Sequence, residues 1–393
     1  MADDLSKRKL RMAQIGGGPG AFIGAVHRMG AQMDGQIELV AGAFSSDPAK
    51  SKGMAAELYL DPARVYGSWE EMLKTEAAKP EGEKVDIISI VTPNHMHFAP
   101  AKMALELGFN VVMDKPMTIT GAEARELKVT VEKSGKVFAL THTYTGYPMV
   151  KLARDLVKSG KIGKIRKIVA EYSQGWLFHA FEKTGENKQA EWRTDPARAG
   201  AGALGDIGTH AANLSEAITG LKIIEVAADV STFVPGRPID DDVNMLVHWE
   251  GGAKGVLHVS QIAVGEENEI SLRVYGDEAA FEWKQATCET LLLRYPDKPV
   301  EVWRRAWGYV GAASACAAAN TRTPTDHPEG LIEAFANIYM NVARAIRELA
   351  SGKDRKSIYF DFPTVDDGLR GMLFIEAALK SSRDGGRWTK IEN

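Results

Sequence analysis

The chain has 393 residues, more than one ordinary domain holds, so we expect two domains. Hydrophobic residues make up 45% and charged residues 25% of it, which is the balance of a globular protein and excludes a disordered one. The formal net charge of −4 argues against a polyanion-binding surface as its main role.

The first part of the chain alternates strand-like and helix-like segments. Apolar runs predict strands at 10–15, 37–44, 85–91, 110–113 and 137–140. Amphipathic segments between them predict helices at 21–33, 48–60, 99–107 and 121–134. Continuous β-branched runs between helices are typical of a parallel sheet covered on both faces. We therefore expect an α/β fold whose first domain, residues 1–141, is a doubly wound sheet of the Rossmann type.

The pattern changes after residue 141. A helix is expected at 151–159, followed by alternating segments that predict strands at 164–174, 226–233, 243–249, 253–262, 270–275 and 280–283. The turn sequences EGGAK and YGDEA join some of these strands as hairpins. Helices at 330–351 and 365–382 close the chain. Residues 142–393 are thus expected to form a second domain with an antiparallel or mostly antiparallel sheet.

Cysteine content and the chain start bear on location. The charged start has no apolar stretch of the signal-peptide kind, and no apolar run is long enough for a membrane span. The two cysteines, Cys288 and Cys316, have no metal-type spacing and cannot form a disulfide framework. We expect a cytoplasmic protein.

Glycines cluster between the first strand and the first helix. Such a turn lets a pyrophosphate approach the backbone, while the helix N-terminus attracts its charge. Gly16 and Gly18 fit the first two positions of the dinucleotide-binding fingerprint, the third falls on Ala21, and the next glycine is Gly24. Tight packing alone is the alternative reason for glycines here. We expect a dinucleotide to contact Gly16, Gly18, Gly20, Ala21 and Phe22.

The fingerprint asks for an acid after the second strand to bind the ribose 2′-hydroxyl. The chain instead has Ser45 and Ser46 there, with Lys50 beyond. Hydroxyls beside a cation suit a 2′-phosphate, so we favour NADP over NAD. The alternative is that Ser46 or Asp47 only caps the next helix.

Four motifs occur in a specific order: GGGPGAFIGAVH, TPNHMH (92–97), DKP (114–116) and GALGDIGTH (202–210). Through them nearly the whole chain resembles the glucose-fructose oxidoreductase, inositol dehydrogenase and MocA (Gfo/Idh/MocA) family. The resemblance implies a Rossmann domain that binds NAD(P), and a second domain with a large open sheet that binds substrate. It also implies a homodimer or homotetramer with a small-molecule sugar or polyol substrate, and neither a nucleic-acid nor a membrane partner.

The resemblance assigns site residues position by position. Lys115 is the usual catalytic lysine, Asp206 and His210 are the acid and histidine four apart, and Arg193 belongs to a Trp-Arg pair that binds substrate. The family's N-x-R-x-x-P motif is altered at 143–148, where Tyr144 is a partial substitute. On the cofactor side the resemblance adds Thr92, Pro93, Asn94, His97, Asp114 and Lys115.

These residues suit hydride transfer between nicotinamide and a ring secondary alcohol. A histidine can take the hydroxyl proton near neutral pH, and an ammonium can stabilise alkoxide character. We expect His210 to be the principal acid/base and Lys115 its electrostatic partner, the reverse division being the alternative. A substrate would then contact Lys115, Tyr144, Arg193, Asp206 and His210. No metal is expected, because nicotinamide carries the redox chemistry.

Two other functions fit the same residues. A glycoside-cleaving hydrolase could use bound NAD for a transient oxidation and release sugar without net reduction of the cofactor. A catalytically inactive nucleotide sensor could keep the fold alone. Retention of Lys115, Asp206 and His210 together favours the dehydrogenase.

Overall fold

The computed structural model describes residues 4–185 and 187–392. The chain divides into two compact units. The first contains the chain up to Thr143 together with Leu331–Leu369, and the second contains Tyr144–Gly330 and the chain from Arg370 onward. The chain passes from the first unit to the second after Thr143, close to the predicted boundary at 141. The segment Leu331–Leu369, which the sequence analysis placed in the second domain, packs with the first unit instead.

The first unit is built on a parallel sheet in the order β2-β1-β3-β4-β5. Every residue of the central strand β3 is buried, as expected for a sheet covered on both faces. The predicted strands and helices are confirmed to within a few residues, and the doubly wound arrangement with them. The strands are β1 Leu10–Gly16, β2 Ile37–Ala43, β3 Ile87–Val91, β4 Asn110–Met113 and β5 Phe138–Leu140.

The helices of this unit alternate with its strands. They are α1 Phe22–Met33, α2 Pro48–Glu57, α3 Trp69–Ala77, α4 Phe98–Glu106 and α5 Gly121–Ser134, numbered along the chain. Local sequence explains their ends: the Asp47 carboxylate caps α2, Ser68 caps α3, and Thr120 with Glu123 forms a capping box on α5. Helix α3 was not predicted, although its cap and following acids are the ordinary start signal.

One late helix, α12 (Leu331–Ala350), completes the core of the first unit. It packs on α1, where a β-carbon at Gly30 would lie 2.8 Å from the Phe335 β-carbon. A buried polar chain runs beside this contact: His27 Nδ1 lies 2.8 Å from the Tyr339 hydroxyl, which lies 3.0 Å from Ser89 Oγ. The apolar residues of α12 share one buried cluster with those of α1 and β1.

The second unit contains a sheet in the order β13-β12-β11-β10-β6-β9-β8-β7-β14. Its neighbours are antiparallel except for the parallel pair β6 and β9, so the mostly antiparallel prediction is confirmed. Strands β12 to β14 were not predicted. The strands are β6 Lys167–Ser173, β7 Ile223–Ser231, β8 Asp242–Trp249, β9 Lys254–Ser260, β10 Glu269–Tyr275, β11 Ala280–Lys284, β12 Thr290–Arg294, β13 Glu301–Arg304 and β14 Thr389–Lys390.

Helices cover one face of this sheet. Helix α9 packs on α6 and on strands β6 and β10 and is buried along almost its whole length. On β8, Leu246 is 54% exposed. The helices are α6 Pro148–Lys158, α7 Lys188–Arg193, α8 Pro196–Ala199, α9 Thr209–Thr219, α10 Gly308–Ala313, α11 Ala315–Ala319 and α13 Val365–Arg383. No helix in the described ranges is long and apolar enough to cross a membrane.

Candidate active site

The glycine turn of the first unit joins β1 to α1. Gly16, Gly17 and Gly20 have φ angles of 85°, 73° and 79°, in the left-handed region that favours glycine. Gly18 donates its N–H to Phe44 O at 3.0 Å, and a β-carbon there would lie 2.6 Å from that oxygen. Helix α1 begins after Ala21 without a side-chain cap or an acid in its first turn. The turn therefore presents a bare helix N-terminus, the feature that attracts phosphate.

Backbone packing indicates which residue corresponds to the third glycine of the dinucleotide-binding fingerprint. A β-carbon on Gly24 would lie 2.4 Å from the Gly17 α-carbon, so helix α1 and the turn touch through their backbones there. Ala21, the strict third position of the fingerprint, is instead the residue before the helix. Gly24 thus performs the close-packing role that the fingerprint gives to its third glycine.

The residues after β2 carry both signs of charge. The Asp47 carboxylate accepts the backbone N–H groups of Ala49 and Lys50, and Ser45 Oγ accepts the Asp47 N–H at 3.1 Å. The backbone hydrogen bond from Lys50 is the main reason that the pKa of Asp47 is lowered. Lys50 Nζ lies 3.6 Å from Asp47 Oδ2 in an exposed pair, and Ser46 is exposed. The cap predicted as the alternative is thus present, made by Asp47.

A buried imidazole joins the loops that follow β3 and β4. His97 Nε2 lies 2.9 Å from Thr92 O, and His97 Nδ1 lies 2.8 Å from Pro116 O. Burial lowers the pKa of His97, so the ring is neutral and one of these contacts is the donated hydrogen bond. Thr92 Oγ1 closes its own loop by donating to Met96 O, and Asn94 is buried within it.

Lys115 lies directly after β4, at the carboxyl end of the parallel strands. Asp114 Oδ1 accepts the Lys115 N–H at 2.9 Å and the Thr141 hydroxyl at 3.1 Å, which fixes the loop. The Lys115–Pro116 peptide bond is cis. Burial lowers the pKa of His142 to about 3, and the charge of Lys115 contributes in the same direction. His142 therefore lies close enough to Lys115 to be affected by its charge, and no sequence motif predicted this.

Asp206 and His210 lie where a π-helical turn, Leu204–Gly208, runs into α9. Asp206 belongs to the π-helical turn, and His210 is the second residue of α9. Asp206 Oδ2 accepts Gln261 Nε2 at 2.8 Å and lies 3.3 Å from Arg193 Nε. His210 is 7% exposed. Such turns occur frequently at functional sites.

Arg193 is the last residue of α7 and contacts two aromatic rings. Its guanidinium carbon lies 4.2 Å from the centre of the Trp192 ring and 6.0 Å from that of Trp176. It also donates to Gln189 Oε1. The arginine is therefore held in place by stacking and by the Asp206 carboxylate together.

Two tyrosines lie beside the imidazole of His210, and the amide of Asn268 contacts both of their hydroxyls. The Tyr144 ring centre lies 4.8 Å from that of the imidazole, edge to face, and the Tyr144 hydroxyl lies 2.5 Å from that of Tyr172. Tyr172 donates to Asn268 Oδ1 at 2.7 Å. Burial raises the pKa of Tyr144 to about 12 and that of Tyr172 as well, so both hydroxyls stay protonated at neutral pH. They can donate to or accept from a polar ligand.

Several of these side chains were not predicted from the sequence. One signal could have found some of them: Tyr172 near the end of β6 is followed by Gln174 and Trp176 at intervals of two, and hydrogen bonds join Gln174 to both aromatic side chains. Trp176 Nε1 donates to Gln174 Oε1 at 3.0 Å. Gln261 and Asn268 follow β9 and precede β10, and nothing in the sequence marks them.

Metal ligation has no support in the arrangement. Within residues 4–185 and 187–392, no three His, Cys, Asp or Glu side chains are grouped so that they could hold a metal ion. His179, Asp206 and His210 do not form such a group.

Comparison with known protein families matches both parts of the chain. Residues 10–142 match the NAD-binding Rossmann fold of an oxidoreductase family. Residues 150–282 match the GFO/IDH/MocA C-terminal domain.

Similar proteins match over almost the whole length. The chain is 34% identical over 393 residues to the uncharacterized oxidoreductase YfiI of Bacillus subtilis (strain 168), covering 98% of each. An inositol dehydrogenase homolog from Azotobacter vinelandii, solved with NAD+, has a TM-score of 0.92 at 32% identity, covering 98% of this chain and 97% of that one. The same homolog, solved with NADH and myo-inositol, has a TM-score of 0.89. An oxidoreductase from Sinorhizobium meliloti has a TM-score of 0.86 at 42% identity, covering 98% and 100%.

Proposed function

This chain is a member of the Gfo/Idh/MocA oxidoreductase family, and on that premise we propose that it moves a hydride between nicotinamide and a ring secondary alcohol of a sugar or polyol. Its first unit is an NAD(P)-binding Rossmann domain. Its relatives include an inositol dehydrogenase homolog solved with NADH and myo-inositol. Within this class we favour a cyclic polyol, sugar or glycoside as substrate.

The cofactor half of the proposal rests on the glycine turn. Helix α1 begins after this turn without a side-chain cap or an acid in its first turn, which suits a diphosphate at its N-terminus. These residues fit a dinucleotide, whose nicotinamide would supply the hydride acceptor. We place Gly16, Gly18, Gly20, Ala21 and Phe22 at the diphosphate.

Proton transfer is assigned to His210. Its imidazole is almost buried beside Tyr144, whose hydroxyl is neutral, and Asp206 is held by Arg193 and Gln261 in the same unit. In our proposal His210 takes the hydroxyl proton, and Asp206 accepts a neighbouring hydroxyl of the substrate. Lys115 donates a hydrogen bond to the reacting oxygen and stabilises its alkoxide character.

The side chains around His210 support a substrate with many hydroxyls. Gln174, Gln261 and Asn268 supply amide groups that both donate and accept, and Trp176 supplies a ring face for C–H stacking. A cyclic polyol presents the complementary pattern of alternating hydroxyls and C–H edges. Arg193 and Tyr144 complete the proposed contacts.

For the cofactor we propose a preference for NADP. Ser45, Ser46 and Lys50 follow β2 and suit a 2′-phosphate, and Lys50 is exposed and able to reach one. The carboxylate of Asp47 opposes this preference, because it lies 3.6 Å from Lys50 Nζ. The balance of these charges sets the preference.

The test is a change in the near-ultraviolet absorbance of reduced nicotinamide. Purified protein is mixed with NAD+ or NADP+ and a panel of inositols, aldoses and glycosides. We expect turnover with at least one ring alcohol, and we expect Lys115→Met and His210→Asn to reduce kcat by about a thousandfold or more. The matched control, Lys133→Met, replaces an exposed lysine at the end of α5 and should retain activity.

Other outcomes would replace the proposal. Release of sugar from a glycoside without net reduction of the cofactor would identify the hydrolase. Tight nicotinamide binding with no turnover on the whole panel, unchanged in Lys115→Met, would favour the sensor.

A further inference from the structure

Two neighbouring aspartates just before β8 are buried, and each accepts two backbone hydrogen bonds. Asp240 is 8% exposed and Asp241 is fully buried. Asp241 accepts the N–H groups of Phe233 and Val234 at 2.8 and 3.0 Å, and so orders its own loop. Asp240 accepts from a different part of the chain. The two carboxylates therefore form a natural pair for comparison.

The partners of Asp240 are the residues that lead into the π-helical turn. Its Oδ1 accepts the Gly202 N–H and its Oδ2 accepts the Leu204 N–H, both at 2.7 Å. The Ala203 N–H between them donates to Asp240 O at 3.1 Å. Three successive N–H groups thus end on one residue, and they include donors that the start of a helix leaves unpaired.

Backbone contact reinforces this attachment. A β-carbon on Gly202 would lie 1.9 Å from Asp240 O, so only glycine allows the two chain segments to approach so closely. A buried carboxylate is costly unless it is fully hydrogen-bonded. Asp240 therefore stabilises the backbone conformation in which residues 202–204 donate their three N–H groups to it.

The backbone segment that Asp240 holds, residues 202–204, leads directly to Asp206, which we propose contacts the substrate. Asp206 donates its N–H to Gly202 O at 2.8 Å, which ties it to the same glycine. Its carboxylate is met by Gln261 Nε2, and the Gln261 N–H donates to Asp241 O at 2.9 Å. The two aspartates thus support Asp206 from both sides, by side chain at residue 240 and by backbone at residue 241.

We propose that Asp240 is a positioning residue for the reaction, which holds the π-helical turn so that Asp206 and His210 keep their orientation toward substrate. This inference rests on the proposed function. Asp240 acts through the turn Leu204–Gly208 and is not itself a substrate contact.

The test compares Asp240→Asn with Asp241→Asn. Each substitution keeps the size of the side chain but replaces one carboxylate oxygen by an amide NH2 group. That group cannot accept the backbone N–H that the oxygen accepted. For Asp240→Asn we expect kcat to fall by about ten- to a hundredfold, since small misplacements of reacting groups have effects of that size. We expect KM for the nicotinamide cofactor to change less than about twofold, and the pH profile of kcat to shift. Asp241→Asn should lose at least as much thermal stability, because Asp241 also pairs with the buried Arg237 at 3.1 Å, while kcat and its pH profile stay close to those of the wild type.

A second pair of variants tests the same attachment independently of the aspartate side chains. Gly202→Ala disturbs the same attachment from the other side, and Gly308→Ala, at a glycine with open space around it, is its control. We expect Gly202→Ala to repeat the kinetic pattern of Asp240→Asn and Gly308→Ala to match the wild type.

Hydrogen exchange separates this inference from the proposed function. In Asp240→Asn the amides of 202–210 should exchange at least about tenfold faster than in Asp241→Asn, whether or not turnover is found. Absence of turnover in the wild type would remove the proposed function alone. Equal exchange and equal kcat in the two aspartate variants would overturn the positioning role.

Discussion

At the residue scale, two side chains after β2 have opposite charges that bear on the cofactor preference we propose. On that proposal Lys50 would attract a 2′-phosphate and Asp47, which caps α2, would repel it. Serine is itself a good cap, so Asp47→Ser removes the charge and keeps the helix start. We expect this change to raise the ratio of kcat/KM for NADP+ to that for NAD+ by about three- to tenfold, and Lys50→Ala to lower it by a similar factor.

The control for this prediction lies on the same helix. Lys52 is also exposed on α2, and Lys52→Ala should leave the ratio unchanged. Steady-state rates with both cofactors provide the measurement. A ratio that neither Asp47→Ser nor Lys50→Ala moves would show that the 2′-position is recognised elsewhere.

At the element scale, His97 joins the loops after β3 and β4, because its two ring nitrogens lie 2.9 and 2.8 Å from Thr92 O and Pro116 O. His97→Ala removes the one hydrogen bond that the neutral ring donates, and so leaves one of these carbonyl oxygens without its donor. We expect a loss of about 1–3 kcal/mol in the free energy of unfolding, measured by urea denaturation. His95→Ala, an exposed change in the same segment, should cost less than about 0.5 kcal/mol. Equal losses in the two variants would contradict the linking role.

The buried histidine of α1 makes stability depend on pH. Burial lowers the pKa of His27 from 6.5 to about 4, so the ring is neutral in the folded state while the unfolded chain takes up a proton below 6.5. The stability contributed by the neutral ring is therefore complete above 6.5 and is lost as the pH falls toward 4.

We expect each such histidine to reduce the free energy of unfolding by up to about 1.4 kcal/mol per pH unit in that window. His142, whose pKa burial lowers to about 3, adds to the loss. Denaturant titrations at about pH 7, 6 and 5 measure the slope, which His27→Gln should flatten. An unchanged slope in that variant would argue against His27 as a source of the loss.

At the scale of the whole molecule, the second sheet carries an exposed apolar region. A mostly apolar groove runs across β7, β8 and β9, and Leu246 in its lining is 54% exposed. Contiguous exposed apolar surface of this kind marks an interaction site. We propose that a second copy of the chain covers it, giving a homodimer or homotetramer.

Charge on this face should break the assembly. We expect Leu246→Lys to give a smaller species than the wild type in size-exclusion chromatography with light scattering. Val264→Lys is the control, because Val264 is 75% exposed outside the strands and its change should leave the mass unaltered. A wild-type protein that is monomeric at micromolar concentration would contradict the proposal.

Much of the fold could be predicted because local signals agreed with each other. The runs at 87–91 and 110–113 are apolar except for Ser89 and Asn110, and Asp47 before Pro48 marks a helix start, so these elements appear where expected. Strands β12 and β13 were missed because half-exposed residues such as Glu301 and Arg304 blur their alternation. The return of Leu331–Leu369 to the first unit depends on long-range packing that no local pattern encodes.

The candidate site was predictable where motifs carry it. Asp206 and His210 were assigned through the family motif that they resemble, yet the residues leading into the π-helical turn that contains Asp206 are hydrogen-bonded by the distant Asp240. Gln261 reaches Asp206 only because β8 and β9 pair, with Asp242 opposite Ser260. Contacts of that kind become visible only once the register of the sheet is known.

The packing of α12 on α1 has a consequence for synthesis of the protein. The ribosome makes the glycine turn, β1 and α1 early, but Phe335, Ile338 and Tyr339 belong to the same apolar cluster. Helix α12 begins at Leu331, about 300 residues after α1 ends at Met33, so it leaves the ribosome long after α1. Until then the nascent nucleotide-binding half exposes the surface that α12 later covers, which makes it a natural client for chaperones that hold apolar surface during translation.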